Sequence, residues 1–145
     1  MHRLDSAQTY LVAWEGGEPI GHAHIAWKRT TLGVPEIQDV FVPEELRGQG
    51  IGTELSLAAE RLAGERGYKR ISISASVANH GALRLYRRLG YDDAGLELQR
   101  VAGTIVIRGK QVEVDDTLVY LAKEVAVDSG QSRSSYRGQR GKEKA

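Results

Sequence analysis

Residues 41–52, Phe-Val-Pro-Glu-Glu-Leu-Arg-Gly-Gln-Gly-Ile-Gly, constrain the fold more than any other part of the chain. An apolar β-like segment, Glu36–Val42, runs into Pro43, which has no N–H with which to continue a ladder. An Arg- and Gly-rich turn follows. From Gly50 the pattern becomes helical, with Ile51, Leu55, Ala58, Ala59 and Leu62 on one face and Gly64 and Gly67 marking the end. A strand that feeds a helix through glycines leaves the first N–H groups of that helix unpaired and unobstructed. Such a terminus suits a phosphate-bearing ligand. The plain alternative is a glycine-rich connection that binds nothing.

The other segments can be placed around this one. Tyr10–Trp14 reads as a strand, Glu15–Pro19 as a turn and Ile20–Lys28 as the returning strand. In the returning strand Gly21, Ala23, Ile25 and Trp27 share one face, and Ile20, His22, His24 and Ala26 share the other. Both faces are fairly apolar, which predicts an inner strand covered on both sides. Tyr68–Ser76 alternates with a period of two. Asn79 opens a second helix, Gly81–Leu89, with Ala82, Leu85 and Leu89 as its buried stripe and Gly90 as its stop. Strand, helix, strand, helix in that order predicts a parallel pair joined by a crossover. Residues 104–108 and 111–114 read as a small hairpin, and Thr117–Val125 as a final strand.

At 145 residues the chain suits one domain, placed here at 1–125. The 126–145 segment has no apolar period and reads as a disordered tail. That tail carries +3 of an overall +1, so the rest is slightly acidic at −2, which makes a nucleic-acid surface an unlikely reading. There are no cysteines, so disulfides, thiolate zinc sites and a cysteine nucleophile are excluded. No apolar run is long enough to cross a bilayer, and the first residues lack the apolar centre of a signal peptide. The expectation is no membrane and a cytoplasmic location.

Two familiar phosphate loops do not fit the turn. A Walker A loop ends in Gly-Lys-Ser/Thr, and Gly52-Thr53 lacks the lysine. The spacing Gly48-Gln49-Gly50-Ile51-Gly52-Thr53 does not match a dinucleotide fingerprint either. What it does match is another pattern. Arg47-x-x-Gly50-x-Gly52 after Val40-Phe41-Val42 resembles the (Gln/Arg)-x-x-Gly-x-(Gly/Ala) signature of the GNAT superfamily of N-acetyltransferases. Asn79-x-x-Ala82-x-x-Leu85-Tyr86, followed by Gly90-Tyr91, resembles the second cofactor segment of the same superfamily.

The resemblance implies a mixed α/β fold, with a mostly antiparallel central sheet flanked by helices. It implies acetyl-CoA as co-substrate. The N–H groups of Arg47, Gly48, Gln49, Gly50, Ile51, Gly52 and Thr53 would take the pyrophosphate. The main chain of Phe41 and Val42 would pair with the pantetheine arm, and Asn79 would help to hold it. Asn79 is also a favoured helix N-cap, and the two roles are compatible. By the same resemblance Tyr86 directs its hydroxyl at the thioester sulfur, and the Val42 N–H stabilises the oxyanion. Packing in the core is the alternative for Tyr86.

The implied reaction is acetyl transfer to a primary amine of an unidentified acceptor, by direct attack on the thioester. The amine must be neutral to attack, and an alkyl amine has a pKa of about 10.4 in the lysine model, so a base or a desolvated site is required. A thiolate with a pKa of about 8.5 leaves more readily with a proton, which a phenol can supply. Glu36 and Asp39 are the candidate bases. On a regular strand they face opposite ways, and Glu36 shares parity with Val42. Solvated strand-end carboxylates are the alternative for both. His22 and His24 could be a base or substrate contacts, but they lack a third ligand for a metal, and none is expected. Trp14 and Trp27 read as core residues.

One departure from the superfamily concerns the N-terminus. Its members usually place a strand and one or two helices before the first hairpin, whereas here the first clear strand begins near Tyr10. The expectation is a shortened acceptor side, whose gap a partner subunit would fill in a homodimer. A non-catalytic acyl-CoA-binding module is the competing function. The 104–114 hairpin could wall the substrate site.

Overall fold

The computed structural model describes residues 7–127, so the tail read as disordered lies beyond the described residues from 128 onward. Two units can be distinguished, one holding residues up to Ser72 together with Lys123 onward, the other Ile73–Ala122.

In the first unit β1 (Gln8–Glu15) and β2 (Glu18–Ala26) form an antiparallel hairpin, and β3 (Glu36–Phe41) pairs antiparallel with the other edge of β2. β2 is therefore an inner strand, as its two apolar faces predicted. Gly16 and Gly17 both take positive φ in the hairpin turn, a conformation other residues resist. A 3-10 turn, Glu44–Leu46, begins immediately after Pro43. α1 (Ile51–Glu65) follows, and the chain returns in β4 (Arg70–Ser76), the sheet neighbour of β3. A helical connection between neighbouring strands is what a parallel pair requires.

α1 buries Ile51, Leu55, Ser56, Ala59, Ala63 and Gly64. The expected stripe is thus rotated slightly: Ala58 and Leu62 are only half-buried, and small residues occupy the contact line. Gly21 on β2 explains the close approach. A Cβ there would stand 2.9 Å from Ile51 Cγ2 and 3.1 Å from the Phe41 carbonyl oxygen. Ala13, Ile20, Ala23, Ile51 and Leu55 form the core beneath the helix, with Leu11, Val40, Val42 and Leu46 packed against it. The helix ends in a Schellman motif, with Gly67 at φ 89° and the Tyr68 N–H bonded to the Ala63 carbonyl at 3.0 Å.

In the second unit α2 (His80–Arg88) starts at Asn79, whose Oδ1 accepts from the Ala82 N–H at 3.1 Å. It ends in a second Schellman motif, with Gly90 at φ 103° and the Tyr91 N–H bonded to the Tyr86 carbonyl at 2.9 Å. The motif brings its C3 and C″ side chains together, which here are Tyr86 and Tyr91. Their rings meet edge to face at 5.5 Å. Tyr86 is the fully buried residue of this helix, while Ala82, Leu85 and Leu89 are half-buried, so the stripe expected through those three is replaced by one centred on Tyr86.

A short β5 (Asp92–Asp93) was not anticipated; it pairs with β7. β6 (Gln99–Ile107) and β7 (Lys110–Glu124) form one long antiparallel hairpin. The small hairpin and separate final strand expected from the pattern are therefore one continuous structure. Arg108 at φ 53° and Gly109 at φ 78° turn it, as a two-residue hairpin loop with two left-handed positions requires.

Candidate active site

The strand that leads into the glycine turn is not regular. His24 pairs with Gln38, but His22 pairs with Phe41, so three steps along β3 are matched by two along β2. The extra residue makes a β-bulge. Asp39 lies in it at φ 56°. A left-handed non-glycine residue costs about 1–2 kcal/mol, and Asp and Asn tolerate it better than most.

The bulge corrects the parity on which Glu36 and Val42 were placed together. Glu36, Gln38 and Phe41 instead share the face of their β2 partners Ala26, His24 and His22. Val40 and Val42 are switched to the face of Ile37, where they join the core under α1. The signal for this was present in the chain: three apolar positions spaced by three and then two residues, with an Asp in the longer gap.

Phe41, the last residue of β3, is half-exposed and stacks on His22 at 5.4 Å. Val42 follows it, and its carbonyl accepts a 2.8 Å hydrogen bond from Arg47 Nε. That bond folds the turn back on the strand end. Arg47 is thus a structural clamp on the main chain as well as the first residue of the motif. Gly48 and Gly50 take φ of 82° and 89°, and Gly50 is the N-cap of α1 with no side-chain cap hydrogen bond. Its carbonyl already accepts the Glu54 N–H at 3.0 Å, so the helix is wound from its first turn. Ile51 anchors that turn in the core, and the Gly52 carbonyl accepts from Ser56 Oγ at 2.8 Å. Thr53 is half-buried and Gln49 exposed.

Among the described residues no side chain caps the helix N-terminus, Gly48 and Gly50 hold conformations that L-residues resist, and the dipole favours an anion. The residues fit the pyrophosphate of acetyl-CoA.

Glu36 is buried and accepts from Gln38 Nε2 at 3.3 Å, whereas the Asp39 side chain is 77% exposed. His24 is also buried, and its Nδ1 lies 3.6 Å from Asp39 Oδ2. Of the two tryptophans, Trp27 is buried as expected, with Nε1 donating to Thr9 Oγ1 at 2.8 Å. Trp14 is 48% exposed and so does not belong to the core. It lies on an edge strand with one uncovered face. Among the described residues no group of three or more His, Cys, Asp and Glu could hold a metal ion. No helix among them is long and apolar enough to cross a membrane.

Glu36, Asp39 and residues 41–53 thus lie in the first unit, and Asn79 and Tyr86 in the second. Asn79 does act as an N-cap. Tyr86 is a buried side chain at 3% exposure.

The model of the acetyltransferase (GNAT) family matches residues 2–91, more than half of the chain. The chain belongs to the GNAT family. A streptothricin acetyltransferase of Streptomyces lavendulae is 30% identical over 101 residues, which cover 68% of this chain and 51% of that protein. An uncharacterized N-acetyltransferase of Methanocaldococcus jannaschii is 40% identical over 60 residues, covering 41% of this chain and 26% of that protein. The chain therefore spans a quarter to about half the length of these two curated relatives. Among solved structures, an acetyltransferase from Bacillus cereus superposes with a TM-score of 0.65 at 23% identity, covering 86% of this chain and 85% of that one. A GNAT family acetyltransferase from Elizabethkingia anophelis, with acetyl-CoA bound, gives the same TM-score and identity over 84% and 78%. The fold is the GNAT fold, mixed α/β with a mostly antiparallel central sheet flanked by helices.

Proposed function

We propose that this protein transfers an acetyl group from acetyl-CoA to a primary amine. The observation that carries the reading is the open N-terminus of α1. Glycine-capped and clamped by Arg47 to the end of a bulged strand, it lies in a chain of the GNAT family.

When bound, acetyl-CoA supplies the activated acyl group. The N–H groups of residues 47–53 would hold its pyrophosphate, and the main chain of Phe41 and Val42 its pantetheine arm. The Val42 N–H would stabilise negative charge building on the carbonyl oxygen. Glu36 is the better of the two candidate bases: it is buried beside Gln38, so its carboxylate has a fixed partner and limited access to water. Its task is to take the proton of the acceptor ammonium, directly or through water. Tyr86 is assigned the proton for the departing sulfur, and Asn79 the support of the pantetheine arm, both on the family pattern.

The test is CoA release with a panel of amines, read beside direct acetyl-CoA binding. Amine-dependent release supports the transferase. Binding without release on any amine supports an acyl-CoA-binding module instead.

A further inference from the structure

β3 carries a bulge that its own sequence only partly stabilises. Asp39 tolerates a left-handed conformation without requiring it, and a one-residue slip would restore a regular ladder. Burial of Val40 and Val42 beneath α1 favours the bulged register, and a contact on Asp39 itself would hold its left-handed conformation. His24 stands directly opposite, at the last β2 position before the pairing shifts.

Its ring is fixed on three sides. Tyr10 stacks on it at 4.5 Å with the planes 1° apart. Nε2 meets Gln8 Oε1 at 2.5 Å, and Nδ1 faces Asp39 Oδ2 at 3.6 Å. Both ring nitrogens therefore face side-chain oxygens, and the tautomer decides which of them donates. β1 holds the ring, and the ring holds the bulge residue. Asp39 itself is exposed, and among the described residues its side chain meets the His24 ring.

We propose that His24 is a positioning residue which, through Asp39, holds the bulge of β3, and with it the main chain of Phe41 and Val42 that receives the thioester. The kinetic part rests on the acetyltransferase reading above, whereas the conformational part concerns the protein alone. In a regular strand Phe41 would turn toward α1, and Val40 and Val42 would leave the core. The main chain that is to meet the acyl group would then be offered in the wrong phase.

The experiment has two arms. In labelled protein, the strong intraresidue HN–Hα NOE of a left-handed Asp39 is followed in wild type, His24→Phe and His24→Asn. Phe keeps the stack on Tyr10 but has no donor, and Asn keeps a donor near the Nδ1 position. The expected result is loss of the signal in His24→Phe and its retention in His24→Asn. A His24→Phe protein that folds and keeps the signal overturns the proposal, whatever its activity. Should that variant not fold, Asp39→Ala removes only an exposed side chain, and an undisturbed Phe41–His22 pairing in it overturns the proposal equally.

In the kinetic arm, His24→Phe is expected to lower kcat by about ten- to hundredfold, the scale of a small misplacement at a reacting centre, with acetyl-CoA affinity within about twofold. Asp39→Gly adopts the left-handed conformation without a partner. In that background the effect of His24→Phe should vanish, whereas full additivity would show that His24 acts by packing alone. If wild type acetylates no amine, the acetyltransferase reading fails, and the NMR arm still decides the role of His24.

Discussion

At the scale of single residues, the site proposed for the donor is a matter of missing side chains. Gly50 caps α1 at φ 89° with nothing within 4 Å of where a Cβ would stand. Space alone therefore does not exclude another residue; the left-handed conformation disfavours one, and a bound anion would exclude an acidic one. Gly50→Glu strains the cap and places a carboxylate where a pyrophosphate is expected, so calorimetry should find acetyl-CoA binding lost. Unchanged affinity would remove the turn from the donor site. Glu36→Gln should reduce kcat by about 10²–10⁴-fold, the usual contribution of a general base, with donor affinity retained. A surviving acid limb in the pH–rate profile of that variant would show that another group takes the proton. Tyr86→Phe should lower turnover more than acetyl-CoA affinity, and a wild-type rate would leave Tyr86 as the packing partner of Tyr91. On the β6–β7 hairpin Arg100 chelates Asp115 at 2.9 Å and holds its carboxyl below the ordinary carboxylate range. A depressed acid stabilises the folded form above its unfolded pKa, and that contribution is lost as pH falls through the folded one. Carbon-detected NMR titration should find the Asp115 value rising toward the ordinary range in Arg100→Gln.

At the scale of elements, the helix and the strands around the glycine turn were legible because their chemistry is local. Pro43 stops a ladder, glycines uncap a helix, and Ile51, Leu55 and Ala59 recur on one face. Three features were not legible in the same way. The bulge at Asp39 depends on which β2 residue lies opposite, a tertiary fact, although the uneven spacing of Ile37, Val40 and Val42 hints at it. α2 is amphipathic about Tyr86 rather than Leu85 because its C-terminal motif pairs Tyr86 with Tyr91. Trp14 is exposed because β1 is the first strand in the sheet order, and an edge position cannot be read from an apolar run. The contact of α1 with β2 is tight enough to test. Gly21→Ala would place a methyl 2.9 Å from Ile51 Cγ2 and 3.1 Å from the Phe41 carbonyl. Overpacking of this kind costs about 1–3 kcal/mol. Denaturant unfolding should therefore show a lower midpoint with an unchanged slope.

At the scale of the molecule, the residues assigned to the donor lie at 41–53, 79 and 86, and none lies in the basic tail. Removing residues 128–145 should leave acetyl-CoA affinity unchanged. The acceptor is a different matter. Family membership names a donor and a fold, and the chain matches a quarter to about half of the two curated relatives described, so an acceptor does not transfer from either of them. The central claim is that the bulged strand and the glycine turn serve acetyl transfer to an amine. It is tested most directly by incubating the protein with acetyl-CoA and a panel of primary amines, and reading free CoA together with acetylated product by mass spectrometry. Stoichiometric CoA and N-acetyl product are expected for at least one amine, both abolished by Gly50→Glu. Tight acetyl-CoA binding with no product from any amine, or product that persists undiminished in Gly50→Glu, would contradict it.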